Sequence, residues 1–108
     1  MMIGKEIITA LRSTTYLKSS GTIEGIKKGE KLDLKFGEIK GFENSVAVYY
    51  NGIHIGNISK DLASNMNERK RKYPHTEYSC IFKDHSKFIW KDDGKEYTGA
   101  ITIIKQIC

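Results

Sequence analysis

The sequence predicts a mainly β fold: a small barrel of six or seven strands carrying one or two helices. Three observations lead there. Short β-rich runs follow one another closely, two of them meeting at Asn51-Gly52 and another pair at Asp92-Asp93-Gly94, both sequences suited to hairpin turns. One stretch alone, after Ser59, has helical spacing. Short strands joined by hairpins leave open edges unless the sheet closes on itself, so the set predicts a barrel.

Taken in order, Lys5–Leu11 is β-branched without a breaker and is expected to form the first strand. Arg12–Gly25, rich in Ser, Thr and Gly, is expected to be an irregular connection with room for a helical turn at Thr22–Ile26. Gly25, Gly29 and Lys27-Lys28 predict a tight turn into the next strand, where Leu32, Leu34 and Phe36 alternate with Lys31, Asp33 and Lys35. Val46–Tyr50 and Ile53–Ile58 flank Asn51-Gly52, whose tolerance of positive φ predicts a type I′ hairpin. Ser59 is placed to cap a helix in which Leu62, Ala63 and Met66 recur, and which runs through Asn67–Lys72 until Pro74 ends it. Thr76–Lys83 then reads as a strand with Tyr78, Cys80 and Phe82 on one face, and Asp84-His85-Ser86 as a turn. Lys87–Lys91 and Glu96–Ile107 complete a second hairpin, the latter with Tyr97, Gly99, Ile101 and Ile103 on one face.

With 108 residues, 39% hydrophobic and 29% charged, the chain is expected to form one domain over 1–108 with a single core. No apolar run approaches the roughly 20 residues of a membrane span, and the start lacks the apolar core of a signal peptide. A cytoplasmic protein is expected. Two cysteines, Cys80 and Cys108, do not make a disulfide framework. A net charge of +5 and a pI near 9.2 favour polyanionic partners, nucleic acid above all.

The residues argue against catalysis. His75, Cys80 and His85 are evenly spaced, but residues five apart in a strand point to opposite faces and no second close pair supports a metal, so no metal or cofactor is expected. A phosphate loop, a dinucleotide fingerprint and a nucleophile elbow are all absent. Asp92-Asp93 sits in a turn, where bonding to its own backbone is the simpler role.

Aromatics near cations or loop glycines offer another chemistry: Tyr16, Phe42, Tyr49, Tyr50, Tyr73 and Phe88 suit single-strand binding, in which rings stack on bases while cations follow phosphates. Of Tyr49 and Tyr50, adjacent in a strand, one is expected to pack inward, and Trp90 is expected in the core. Phe42 either plugs the barrel or faces a ligand. Arg69, Lys70, Arg71 and Lys72 either form a solvated helix end favoured by the dipole or, with Lys60, touch phosphates.

The order Gly29-Glu30, Phe42-Glu43, Ser45-Val46-Ala47-Val48, Ile55-Gly56-Asn57-Ile58 and Asp61-Leu62-Ala63 resembles the HIRAN domain, found in bacterial proteins, where a stand-alone form is expected here, and in helicase-like remodellers. Glu43, Asn57 and Ser59 depart from the usual Asp, His or Tyr, and Pro of that pattern. The resemblance implies an OB-like or SH3-like barrel that binds single-stranded DNA or holds its three-prime hydroxyl end. On it, Arg12 would approach phosphate, Phe42 stack on a base, Glu43 accept a hydrogen bond, Asn57 take the polar position, and Phe88 add a second stacking surface with Tyr16 nearby. Ser13 and Thr14 replace the paired aromatics expected after Arg12. The alternative from another class is a protein-interaction module that takes a peptide in a barrel groove or on an edge strand.

Overall fold

A computed structural model describes residues 6–12, 14, 18–37 and 43–107. Six strands, β1 (Glu6–Ala10), β2 (Lys31–Phe36), β3 (Val46–Tyr50), β4 (Ile53–Asn57), β5 (Glu77–Ile89) and β6 (Glu96–Ile107), form one antiparallel sheet in the order β1-β6-β5-β2-β3-β4. Two helices, α1 (Ser20–Glu24) and α2 (Lys60–Lys72), are added. The sheet curls until its ends meet. Just past β1, Leu11 N–H is still bonded to Ala100 of β6 (2.9 Å), and Arg12 exchanges two backbone hydrogen bonds with Asn57 at the end of β4 (2.7 and 2.8 Å). The fold is mainly β and consistent with a small OB-like barrel.

The core fills the inside of this curl with Phe82, Leu32, Ile55, Ile104, Val46 and Val48, and with Ile23 and Ile26 from α1 and the turn after it. Cys80 is buried among them. In β6 the buried face is Thr98, Ala100, Thr102, Ile104 and Gln106, opposite to the face of Tyr97, Gly99, Ile101 and Ile103 that the apolar spacing singles out. The threonines can be buried because strand packing places hydrogen-bond partners within reach: Thr102 Oγ1 donates to the Thr9 carbonyl at 3.0 Å, and Thr98 Oγ1 donates to Glu24 at 2.9 Å.

The Asn51-Gly52 hairpin is present, with φ of 49° and 81°, the signs a type I′ turn requires. Asp93 bonds its own turn as expected, its carboxylate accepting from Lys95 N–H (2.9 Å) and from the Tyr97 hydroxyl. Three expectations are corrected. First, Asp84-His85-Ser86 is not a turn: β5 runs straight through, with a register shift between Phe82 and Asp84 that absorbs Lys83 as an extra residue. There the polar side chains serve the bulge and the helix beside it, Asp84 accepting from His85 N–H (2.8 Å) and His85 Nε2 donating to the Ile23 carbonyl (2.9 Å). Second, Ser59 precedes α2 but its hydroxyl makes no capping bond, and its carbonyl begins the helix by accepting from Ala63 (2.8 Å). Third, Trp90 lies not in the core but at the β5–β6 tip, half-buried and edge-on to Tyr97. The helical turn expected at Thr22–Ile26 is α1, two residues earlier.

Helix α2 seats on the β2–β3 side through Asn67, whose amide donates to the Ser45 carbonyl (3.2 Å), and through Lys70, which lies over the Phe36 ring (4.6 Å), and it buries Ala63 and Met66. Among the described residues no helix is long and apolar enough to cross a membrane.

Candidate nucleic-acid interface

The closing pair Arg12–Asn57 is also where the sequence-derived site begins. Residues directly opposite in an antiparallel pair carry their side chains on the same face. Arg12 is exposed and Asn57 half-buried, so the guanidinium is offered to solvent beside the amide. Close approach of the Leu11-Arg12 segment to β4 depends on Gly56. A Cβ there would stand 2.9 Å from Leu11 Cβ and 3.1 Å from the Arg12 carbonyl oxygen, which explains the Ile55-Gly56-Asn57 sequence in physical terms.

From Asn57 a row of contacts continues across the outside of the sheet. His54 Nε2 lies 2.8 Å from Asn57 Oδ1, an oxygen that can only accept, so this imidazole nitrogen carries its proton. A bulge between Val48 and Tyr49 sets the pairing to Tyr49↔His54 and Val48↔Gly56, leaving Ile55 as the extra residue. That shift turns His54 to the same outer face as Asn57, and its ring stacks on Tyr49 at 4.9 Å with planes 15° apart. Strand β2 flanks β3 on the side away from β4, and from there the Lys35 ammonium sits 4.5 Å from the Tyr49 ring centre. The result is a continuous line, Lys35–Tyr49–His54–Asn57–Arg12, with a cation at each end, two stacked rings inside and an amide between.

Tyr50, the neighbour of Tyr49, points inward as alternation requires, packs on the core and donates its hydroxyl to Glu30 (3.0 Å). Glu30 also accepts from Lys27 N–H (2.7 Å), and these two bonds hold its carboxyl below the usual range. The carboxylate in turn pushes the Tyr50 phenol up.

The other sequence-derived residues fall as follows. Tyr16 and Phe42 lie outside the described residues. Glu43 is exposed and comes back to the end of β2, where a Cβ on Gly37 would meet its carbonyl oxygen at 3.0 Å. Because Gly37 bonds Ser45 (2.9 Å) and Ile58 bonds Val46 (2.9 Å), Glu43 and Asn57 share that end of the barrel. Phe88 stacks on Tyr97 (6.1 Å) in the β5–β6 arm, three ladder pairs beyond the Ala100 to which Leu11 is bonded. Lys60 opens α2, exposed and close in sequence to Asn57. The basic run is dispersed: Lys70 lies over Phe36 (4.6 Å), Arg71 donates to Asn44 (3.0 Å), and Arg69 lies over Tyr73 (5.0 Å). Sequence reasoning missed His54 and Lys35. Lys35 stood in a plain polar alternation, and a one-residue bulge, which decides where His54 points, leaves no mark in the residue pattern.

Among solved structures, the HIRAN domain of human HLTF matches with a TM-score of 0.65, covering 96% of this chain and 77% of that chain at 11% sequence identity. The chain has the HIRAN fold. No family model and no curated protein matches it by sequence. At this identity the HIRAN fold is shared as a backbone course, and the side chains of the row just described are this chain's own.

Proposed function

We propose that the chain is a non-catalytic module that binds single-stranded nucleic acid, DNA and its three-prime ends above other forms. The observation that carries the reading is the row Lys35–Tyr49–His54–Asn57–Arg12. Its cations lie on opposite sides of a stacked ring pair, the arrangement that lets phosphates be followed while a base is held against a ring. Tyr49 lies between Lys35 and His54, so the ring left to a ligand is His54, with Tyr49 as its backing. Asn57 presents an amide to base edges beside it, and Arg12 and Lys35 meet phosphates on either side. Two residues that the family resemblance assigns to one ligand, Arg12 and Asn57, are a hydrogen-bonded pair here. The HIRAN fold supports the same reading.

Fluorescence anisotropy with single-stranded, duplex and three-prime-blocked oligonucleotides at two salt concentrations tests it. Single strands should bind best, with affinity falling log-linearly in salt, and Arg12→Gln or Lys35→Gln should each flatten the slope by about 0.7. His54→Ala should cost roughly 1–3 kcal/mol of binding through lost stacking. Binding that ignores salt, or that survives His54→Ala and Arg12→Gln together, defeats the proposal.

A further inference from the structure

The outer face of β1, β6 and β5 carries a second surface. Ladder partners share a face, and Ile8 pairs with Ile103 while Ile103 pairs with Ile81, so the three side chains form one row across three strands. Alternation along β6 puts Ile101 and Ile107 on the same face. Ile8 is 60% exposed, Ile107 40% and Ile81 37%. Single exposed isoleucines are ordinary, but three in one ladder row with two more beside them make a contiguous apolar patch. The charges around it decide what it fits. Glu6 and Lys105 hold each other (3.9 Å), as do Lys28 and Asp84 (3.9 Å). Glu77 and Lys83 stand exposed at opposite ends of the outward run Glu77, Ser79, Ile81, Lys83 of β5, and among the described residues neither has an ion-pair partner.

We infer that this face packs on the same face of a second copy of the chain, about a two-fold axis that crosses the strands. A run with an acid at one end and a base at the other matches its own reverse. The axis turns β5 antiparallel to its counterpart, so Glu77 meets the partner's Lys83 and Lys83 meets the partner's Glu77, while in β6 Ile101 meets the partner's Ile107. Ile103 falls against the aliphatic stem of the partner's Lys105, whose ammonium stays with its own Glu6. Lys31, the ladder partner of Ile81, and Asp33, two residues on along the same face of β2, exchange in the same way. A uniformly acidic or basic partner would set a like charge against Glu77 or Lys83. A nucleic-acid strand would find Glu6 and Glu77 facing its phosphates and no ring among the patch residues. Three strands offer a small area, at the transient end of protein interfaces, so the dimer is weak. The inference is independent of the nucleic-acid reading, whose residues Lys35, Tyr49, His54, Asn57 and Arg12 lie outside this patch.

Sedimentation velocity of the full chain, without nucleic acid, from about 10 μM to about 1 mM tests it. The weight-average mass of the parent should rise with concentration from 12.3 kDa toward twice that value. Ile8→Thr and Ile81→Thr keep β-branched residues in their strands, and each should weaken association at least about fivefold, because a two-fold interface counts every change twice. Glu77→Lys alone or Lys83→Glu alone sets like charges together at two places and should weaken it about five- to tenfold. The double variant Glu77→Lys, Lys83→Glu should associate as the parent does, and so should an equimolar mixture of the two single variants, in which every opposed pair is again of opposite sign. A native circular-dichroism spectrum is required of each variant. A parent chain that stays at 12.3 kDa up to about 1 mM, single charge variants that associate as tightly as the parent, or a folded double variant that does not associate would each overturn the inference.

Discussion

Gly56→Ala tests the joint on which the barrel and its candidate site both depend. The added methyl would lie 2.9 Å from Leu11 Cβ, 3.1 Å from Leu11 Cδ1 and 3.1 Å from the Arg12 carbonyl oxygen, against an ordinary separation of about 3.5–4.0 Å. Two of these neighbours are a side-chain stem and a backbone oxygen, which cannot move without the chain. If the structure holds, the strain costs about 1–3 kcal/mol. If the Leu11-Arg12 segment lifts away, the two backbone bonds to Asn57 are lost at about 0.5–1.5 kcal/mol each, and Leu11, now 7% exposed, loosens. We expect a net loss of roughly 2–4 kcal/mol from a total stability of roughly 5–15 kcal/mol. Urea unfolding should show a lower midpoint with an unchanged slope. Gly21→Ala is the control: that glycine lies in α1 with no heavy atom within 4 Å of a built Cβ, so alanine should stabilise by about 0.5–1 kcal/mol. In the segment-lifting case single-strand affinity should also fall, because Arg12 leaves Asn57. A Gly56→Ala protein within about 0.5 kcal/mol of the parent would refute the reasoning.

Gly52→Val should destabilise by about 1–2 kcal/mol in the same assay, because a β-branched residue resists the φ of 81° that the hairpin turn demands. Glu30 gives a pH dependence. Its folded pKa is lowered from 4.5, so its contribution is fully present above that value and is lost as pH falls through the lowered one. Glu30→Gln should therefore flatten the acid limb of a stability–pH curve and leave neutral unfolding less changed in shape. Cys80 is buried, and desolvation pushes its thiol up to about 12. In a Cys108→Ser background iodoacetamide at pH 8 should label it only after denaturant is added, and rapid labelling of the native protein would contradict the core placement.

What the sequence settled by itself was local. Asn51-Gly52 specifies its turn because few residue pairs accept two successive positive φ angles, and the alternation around Leu32, Leu34 and Phe36 identifies a strand with one buried face because side chains alternate with period two. From such elements a mainly β barrel with one or two helices could be inferred, and of the residues in the row Arg12 and Asn57 could be singled out, while which of Tyr49 and Tyr50 faces outward could not. Tertiary structure alone decided which face of β6 is buried, since threonine and isoleucine alternate there and burial of the threonines depends on partners from distant elements such as Thr9 and Glu24. It also turned Asp84-His85-Ser86 from a turn into a bulged strand, because the ladder with β6 holds polar residues extended once His85 finds the Ile23 carbonyl. The candidate interface shows the same division. The residue types are in the sequence, but a bulge in β4 and a glycine that lets Leu11-Arg12 lie against it bring Arg12, Asn57, His54, Tyr49 and Lys35 into one line, and contacts between residues so far apart in the chain are set by packing, not by local pattern.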